Sequence, residues 1–267
     1  MRVPILLYHY IGLCPPEFDD PYQADLWVSP ERFAAQLHHL NEHGFTTVGL
    51  DHLLAGTAAG DLLPARPVII TFDDGTADNY HQAFPLLKSA GCVATFFVVT
   101  DKVGTPGHMT WPQLREMAGA GMSIESHTAT HADLNRLSPP ACFAELRRSR
   151  EALSRELGQD SSYLAYPGGH YNQAVCLQAG LARYRAAVTT LEAISFGRGA
   201  VFELPRVRIS STDGLEEFAA RLSTDHRLTY ECKRIMRRHN LWRRWKRARK
   251  QARRLTRAVR RLVTSPA

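Results

Sequence analysis

Short runs of β-branched and aromatic residues alternate along this 267-residue chain with longer segments of helical period. Strands are expected near 3–8, 45–48, 67–72, 93–99, 122–126, 163–166, 185–189 and 204–209, where such runs are bounded by turn residues. Between the first two, Ser29-Pro30-Glu31 reads as an N-cap with Pro in the first turn. Phe33, Leu37 and Leu40 then share one helical face, and Gly44 supplies the stop. Helical patterns also cover 77–90, 110–119, 138–157, 172–180 and 214–222. Strand and helix in regular succession predict parallel strands joined by covering helices, an α/β fold of seven or eight βα units that suggests a (β/α) barrel. No internal repeat is visible beyond this alternation.

Composition agrees with one large core plus an appendage, since 44% of the residues are apolar and single α/β barrels reach this length. The five cysteines (Cys14, Cys92, Cys142, Cys176 and Cys232) are scattered and have no Cys-x-x-Cys spacing. That argues against a disulfide framework or a thiolate zinc site and fits a reducing compartment. Met1-Arg2 runs straight into an apolar stretch too short for a signal peptide, so a cytoplasmic location is expected. The formal net charge of +7 hides two opposite parts: residues 233–267 hold 15 of the 33 Lys and Arg and no acidic residue, leaving the first 232 residues at −8. We therefore divide the chain into a barrel domain, 1–225, and a basic tail, 226–267. In the tail, Ile235, Met236, Leu241, Trp242, Trp245, Leu255, Val259 and Leu262 recur near helical spacing among the cations. Such a stripe fits an interfacial helix over Lys233–Val263 at an anionic membrane surface, with a solvated basic tail as the alternative. Nucleic-acid binding is disfavoured because the acidic body offers no extended basic groove.

Candidate chemistry gathers at strand ends. Asp73-Asp74-Gly75 closes the run 67–72, and Ser126-His127-Thr128-Ala129-Thr130-His131 follows the strand expected at 122–126. One Asp and two His can hold a divalent ion with positions left open for water and substrate, and a second Asp beside them can accept the water's proton. His127 and His131, four apart, could meet one ion if the chain turns helically after the strand. This donor set suits Zn2+ and equally Co2+, Ni2+ or Fe2+. His9, Asp73, Asp74, His127 and Pro167 all fall just past strand ends, on the rim where barrel enzymes assemble their sites. Ser126, Thr128, Thr130 and Asp133 are placed to cap or support these groups, and Trp111 to open a helix and pack.

Six ordered blocks resemble the polysaccharide deacetylases of carbohydrate esterase family 4, across most of residues 2–222. They are Ile5-Leu6-Leu7-Tyr8-His9, Thr71 to Gly75, Ala94-Thr95-Phe96-Phe97-Val98, His127 to His131, Ala165-Tyr166-Pro167-Gly168-Gly169 and Leu204-Pro205-Arg206-Val207. The resemblance implies a distorted (β/α)7-8 barrel with Asp74, His127 and His131 as metal ligands and Asp73 as general base. Tyr8-His9 on the first strand resembles the circularly shifted subgroup that deacetylates poly-N-acetylglucosamine, in which this histidine is the acid; a histidine merely packed at a strand end is the alternative. In the same subgroup an arginine matching Arg206 orients the base, against the competing reading of a surface arginine. The Tyr166, Pro167 and Gly168 block matches the one whose backbone amide helps hold the oxyanion, although family members usually carry Tyr at the position of Gly168.

These expectations describe a metal-dependent carbohydrate N-deacetylase whose partner is an N-acetylated saccharide. Two alternatives stand beside it: a non-catalytic carbohydrate-binding or scaffolding barrel, and a deacylase of lipid-linked sugars at the cytoplasmic membrane face. O-acetyl or formyl substrates share the same chemistry.

Overall fold

The computed structural model describes residues 2–16, 20–59, 63–195, 200–223 and 227–238. Ten strands are present among them: β1 (Ile5–Tyr8), β2 (Tyr10–Ile11), β3 (Trp27–Val28), β4 (Thr46–Thr47), β5 (Pro67–Phe72), β6 (Thr95–Val98), β7 (Ser123–Ser126), β8 (Tyr163–Ala165), β9 (Ala186–Glu192) and β10 (Leu204–Arg208). The helices are α1 (Pro21–Ala24), α2 (Pro30–Glu42), α3 (Leu50–Ala59), α4 (Phe84–Ser89), α5 (Trp111–Gly119), α6 (Pro139–Leu157), α7 (Gln173–Leu181), α8 (Leu215–Arg221) and α9 (Arg227–Arg238).

Seven parallel strands run in the order β1, β10, β9, β8, β7, β6, β5, and β5 pairs back to β1 from Ile5↔Ile69 to Tyr8↔Phe72, which closes the barrel. The strand expected near 45–48 shrinks to the two residues of β4, attached at the start of β5 through Thr46↔Pro67 and outside the closed ring. The barrel therefore has seven strands. A separate parallel pair, β2 and β3, joins Tyr10 to Trp27 and had no counterpart in the periodicity.

Successive strand residues face opposite sides of the sheet. On one side Ile5, Ile69, Phe97, Tyr163, Val188 and Leu204 pack together as the barrel interior, with Leu50 and Leu53 of α3 in the same cluster. On the other side Leu6, Ile70, Phe72, Phe96 and Ile124 meet the covering helices, including Phe33, Leu37 and Leu40 of α2 and Leu114 and Met117 of α5. Leu164 and Ala187 pack with Leu146 of α6 and Val175 and Ala179 of α7. Both faces of the strands are dry, which explains why their sequences read as continuous apolar runs.

The N-caps fall where expected: Ser29 Oγ accepts the Arg32 N–H at 3.3 Å, and Thr110 and Gln113 form a reciprocal capping box at the start of α5. The helix expected over 77–90 is not uniform, because a π-helical turn at Asn79–Ala83 precedes α4. Pro85 lacks the N–H that would bond residue 81 and its ring crowds that carbonyl, so the preceding turn widens. The wide turn lets Asn79 Nδ2 donate to His9 O at 2.8 Å and Asp78 Oδ2 accept from the Ile11 N–H at 2.7 Å. At the other end, α9 lies against β9 and the loop after β8, held by Arg234 and Arg237. The interfacial stripe expected over Lys233–Val263 lies outside the described residues beyond Arg238, and among the described residues no helix is long and apolar enough to cross a membrane.

Gly75 ties the fold to the loop after β5. Its φ is +73°, and a Cβ there would stand 2.9 Å from Val98 Cβ. Gly75→Ala is expected to lower the unfolding free energy by about 2–4 kcal/mol, combining left-handed strain with overpacking. Equilibrium urea denaturation measures this, and an unchanged midpoint with unchanged slope would refute it.

Candidate active site

Strand ends deliver the polar groups. β1 stops at Tyr8, β5 at Phe72, β7 at Ser126 and β8 at Ala165, so His9, Asp73, Asp74, His127 and the Tyr166–Gly169 loop share the carboxyl rim of the barrel. The backbone there is strained. Among the described residues, four non-glycine residues have positive φ, and three of them, Asp74 (75°), Thr128 (68°) and His131 (65°), lie in the two rim loops after β5 and β7. The segment from His127 to His131 does not turn helically as anticipated; left-handed kinks at Thr128 and His131 fold it back toward Asp74. The kinks are held by the flanking hydroxyls: Thr128 N–H donates to Ser126 Oγ at 3.1 Å and His131 N–H to Thr128 Oγ1 at 3.0 Å. Thr130 is fixed by Glu145, and Asp133 caps the turn at Leu134–Arg136.

The result is a compact donor set. Asp74 Oδ1 stands 3.4 Å from His127 Nε2 and 3.3 Å from His131 Nε2, and one ligand atom of each residue lies within 4.8 Å of the others. His127 Nδ1 is 2.8 Å from the Ala165 carbonyl. A carbonyl only accepts, so Nδ1 carries a proton; Nε2, facing Asp74, donates to that carboxylate when it is protonated and offers its lone pair to an ion when it is not. Burial disfavours ionised Asp74, but its hydrogen bonds from His127 and His131 outweigh that and hold its carboxyl far below the usual range.

Asp73 faces the barrel interior, with 2% of its surface exposed, and Arg206 is 1% exposed. The competing reading of Arg206 as a surface residue is thereby removed. Its guanidinium donates to both oxygens of Asp73, Nη1 to Oδ1 at 2.7 Å and Nη2 to Oδ2 at 2.6 Å. Nε donates to Thr189 O at 2.9 Å, and Nη1 also to Thr71 Oγ1 at 3.1 Å. Burial opposes the charge on Asp73, yet Arg206 and His127 prevail and its pKa is lowered. His9 is half-buried on the same rim; desolvation lowers its pKa, while Asp73 and Asp74 act to raise it.

These groups open on a cleft of about 570 Å³ lined by His9, Asp73, Asp74, His127, His131 and Gly168. In the loop after β8 the amides of Tyr166, Gly169 and His170 bond to backbone carbonyls at 3.3, 2.7 and 3.0 Å, and Pro167 has none. Among the described residues the Gly168 N–H is the amide of this loop left without a backbone partner, and Gly168 itself sits at φ +57° in the cleft wall. Tyr166 points away, its hydroxyl donating to Phe202 O at 3.0 Å within the core. Trp111 packs against the core at the start of α5 and does not line the cleft. Sequence inspection missed Tyr10 and Trp27, whose rings stack 4.3 Å apart beside the donor set, together with Tyr22, Lys102, His108 and Thr190 on the cleft wall. Tyr10-x-Gly12 and the isolated Trp27 carry no motif; only the β2–β3 pairing brings them together.

A closed parallel barrel with its ionisable residues collected on the carboxyl rim is the layout of a barrel enzyme. The description polysaccharide deacetylase matches this chain over residues 61–187. A Bacillus subtilis protein bearing a polysaccharide deacetylase name, YxkH, is 32% identical over 209 residues, covering 78% of this chain and 72% of the relative. Poly-beta-1,6-N-acetyl-D-glucosamine N-deacetylases of Staphylococcus aureus are 28% identical over 159 residues, and the alignment spans 54% of their length. In three dimensions the Streptococcus pyogenes deacetylase PplD, solved in complex with acetate, matches with a TM-score of 0.79 at 31% identity over 84% of this chain and 99% of that one. IcaB from Ammonifex degensii shares the fold at 24% identity, with a TM-score of 0.69 over 84% of this chain and 97% of that one. The chain belongs to the polysaccharide deacetylase family.

The pairing of Arg206 with Asp73 has a thermodynamic consequence. Arg206→Ala leaves a buried carboxylate without its cation and is expected to cost about 3–5 kcal/mol of unfolding free energy. Chemical denaturation at neutral pH checks this, and a loss below about 1 kcal/mol would mean that the pair contributes little to folding.

Proposed function

We propose that this chain is a metal-dependent hydrolase that removes the acetyl group from an N-acetylated sugar or polysaccharide. The observation that carries the reading is the convergence of Asp74, His127 and His131 on one small volume beside an Arg206-clamped Asp73. Two imidazole nitrogens and one carboxylate oxygen, with His127 held in the metal-binding tautomer, fit a divalent ion such as Zn2+. Bound there, the ion would supply Lewis acidity toward the acetyl carbonyl and acidify a water molecule.

The chain's own groups divide the remaining work. Asp73 takes the proton of the attacking water. Arg206 occupies one lone pair on each Asp73 oxygen and leaves another free, so the fork orients the base without using up its acceptors. The amide of Gly168, a residue that lines the cleft and whose N–H is uncommitted in the loop, donates to the oxyanion as the carbonyl carbon becomes tetrahedral. His9 delivers the proton that the departing amine requires, because an amine anion is a very poor leaving group. The names of the staphylococcal relatives favour a poly-N-acetylglucosamine-type substrate. The stacked Tyr10 and Trp27 rings suit the apolar face of a pyranose.

Two experiments separate these roles. Asp74→Ala is expected to abolish both bound metal and acetate release, whereas Asp73→Asn keeps the metal and loses about 10²–10⁴ in rate. Stoichiometric metal in purified Asp74→Ala, by elemental analysis, would refute the ligand assignment. His9→Ala should slow an acetamide far more than an activated acetate ester, whose leaving group needs no proton; equal loss on both would assign His9 to packing.

A further inference from the structure

The C-terminal helix reaches the rim with two arginines one turn apart, Arg234 and Arg237. Arg237 is buried at 8% exposure although it stands in the most basic part of the chain. Its Nη1 donates to the Gly169 carbonyl and lies 3.3 Å from Thr190 Oγ1, as does Nη2. Gly169 sits at φ +63°, and a Cβ on it would collide with Thr190 Oγ1 and approach within 2.6 Å of Arg237 Nη1. A close fit of this kind needs glycine on one side and a planar guanidinium on the other. Arg234 secures the helix from which Arg237 projects: its Nη1 donates at 2.8 Å to Glu203, a buried carboxylate at the entry to β10, the strand that carries Arg206. Glu231, on the same helix, accepts from Arg234 Nε at 2.8 Å.

We propose that Arg237 is a positioning residue for deacetylation: it grips the Gly169 carbonyl and the Thr190 hydroxyl and thereby fixes the loop whose Gly168 amide faces the developing oxyanion. This rests on the proposed oxyanion role of Gly168. The Gly168 N–H belongs to the 167–168 peptide and the gripped carbonyl to the 169–170 peptide, so rotation about the Gly168 and Gly169 torsions between them, both residues at positive φ, would carry the Gly168 N–H away from the cleft. Arg237 opposes that rotation from outside the cleft. Thr190 lines the same cleft, so the grip spans two of its walls. The inference makes the basic C-terminal segment part of the catalytic unit, in that α9 completes the rim.

The test uses the full-length, metal-loaded protein and an N-acetylglucosamine oligomer. Arg237→Ala is expected to lower kcat about 10- to 100-fold, the scale of a misplaced reacting group, with KM within about two-fold and metal content unchanged. Arg237→Lys, which keeps the charge and loses the fork, should recover part of the rate. Amide hydrogen exchange on the metal-free proteins supplies a readout independent of turnover: the peptide spanning 166–171 should exchange faster in Arg237→Ala, with the strands unaffected. Unchanged exchange there overturns the grip, and faster exchange with unchanged kcat overturns its catalytic role. Should Arg237→Ala not fold, Arg237→Lys replaces it, and a kcat equal to that of the wild type overturns the proposal. A wild-type protein that releases no acetate would instead defeat the deacetylase reading, and the exchange comparison would still decide whether Arg237 holds the loop.

Discussion

Arg206 puts a full positive charge inside a closed barrel, where an ion stripped of water costs several kcal/mol unless its donors are met. They are met by both oxygens of Asp73, by Thr189 O and by Thr71 Oγ1, and Thr71 in turn donates to Leu6 O at 2.6 Å. Five strand or strand-end positions, on β1, β5, β9 and β10 and just after β5, are thereby tied to one guanidinium. The pair sits above the apolar layer of Ile5, Ile69, Phe97 and Leu204, and the Arg206 guanidinium lies 5.8 Å from the centre of the Phe97 ring. Core and catalytic rim are continuous at this point. The side chain that orients the candidate base is also one that the barrel cannot lose cheaply.

The strain at Asp74, Thr128 and His131 belongs to the same economy of placement. Each left-handed non-glycine residue costs on the order of 1 kcal/mol, and such conformations persist only where the surroundings enforce them. Here the enforcement is visible. Ser126 and Thr128 accept the amides that turn the loop after β7, and Val98 stands against Gly75 in the loop after β5. The two loops are bent toward one another from neighbouring parts of the rim. Asp74 and the two imidazoles meet without a helix between His127 and His131, so the spacing of four reflects a doubly kinked loop and not one helical face.

Helix α9 adds a second kind of constraint. Arg234 and Arg237 leave a strongly basic segment to reach a buried carboxylate and a loop carbonyl of the barrel. The division of the chain into an acidic body and a basic tail is real as a charge distribution, but the first turns of that tail share bonds with the rim. Charge counting assigns every arginine there to solvent or to an anionic surface. Packing assigns two of them to the catalytic body.

The sequence alone determined the succession of strands and helices, the parallel barrel, and the strand-end address of His9, Asp73, Asp74 and His127, because buried parallel strands need continuous apolar runs and polar residues at their ends stand out. It also carried the family resemblance, through blocks that are local in the chain. It left open whether Arg206 was inside or outside, since a strand arginine reads the same in either place, and only barrel closure against β5 turned it toward Asp73. The seven-strand count was likewise decided in space: β4 has a strand-like sequence, but its two residues pair beside β5 and outside the ring. The Tyr10–Trp27 stack and the Arg237 grip depend on partners distant in sequence, across gaps of 17 and 68 residues, with no local pattern to announce them. The kinks at 128 and 131 are held by nearby hydroxyls, but the spacing of the two histidines does not reveal their left-handed geometry. Periodicity reports which face of an element is buried; it does not report what that face will meet, and that was settled by the tertiary structure.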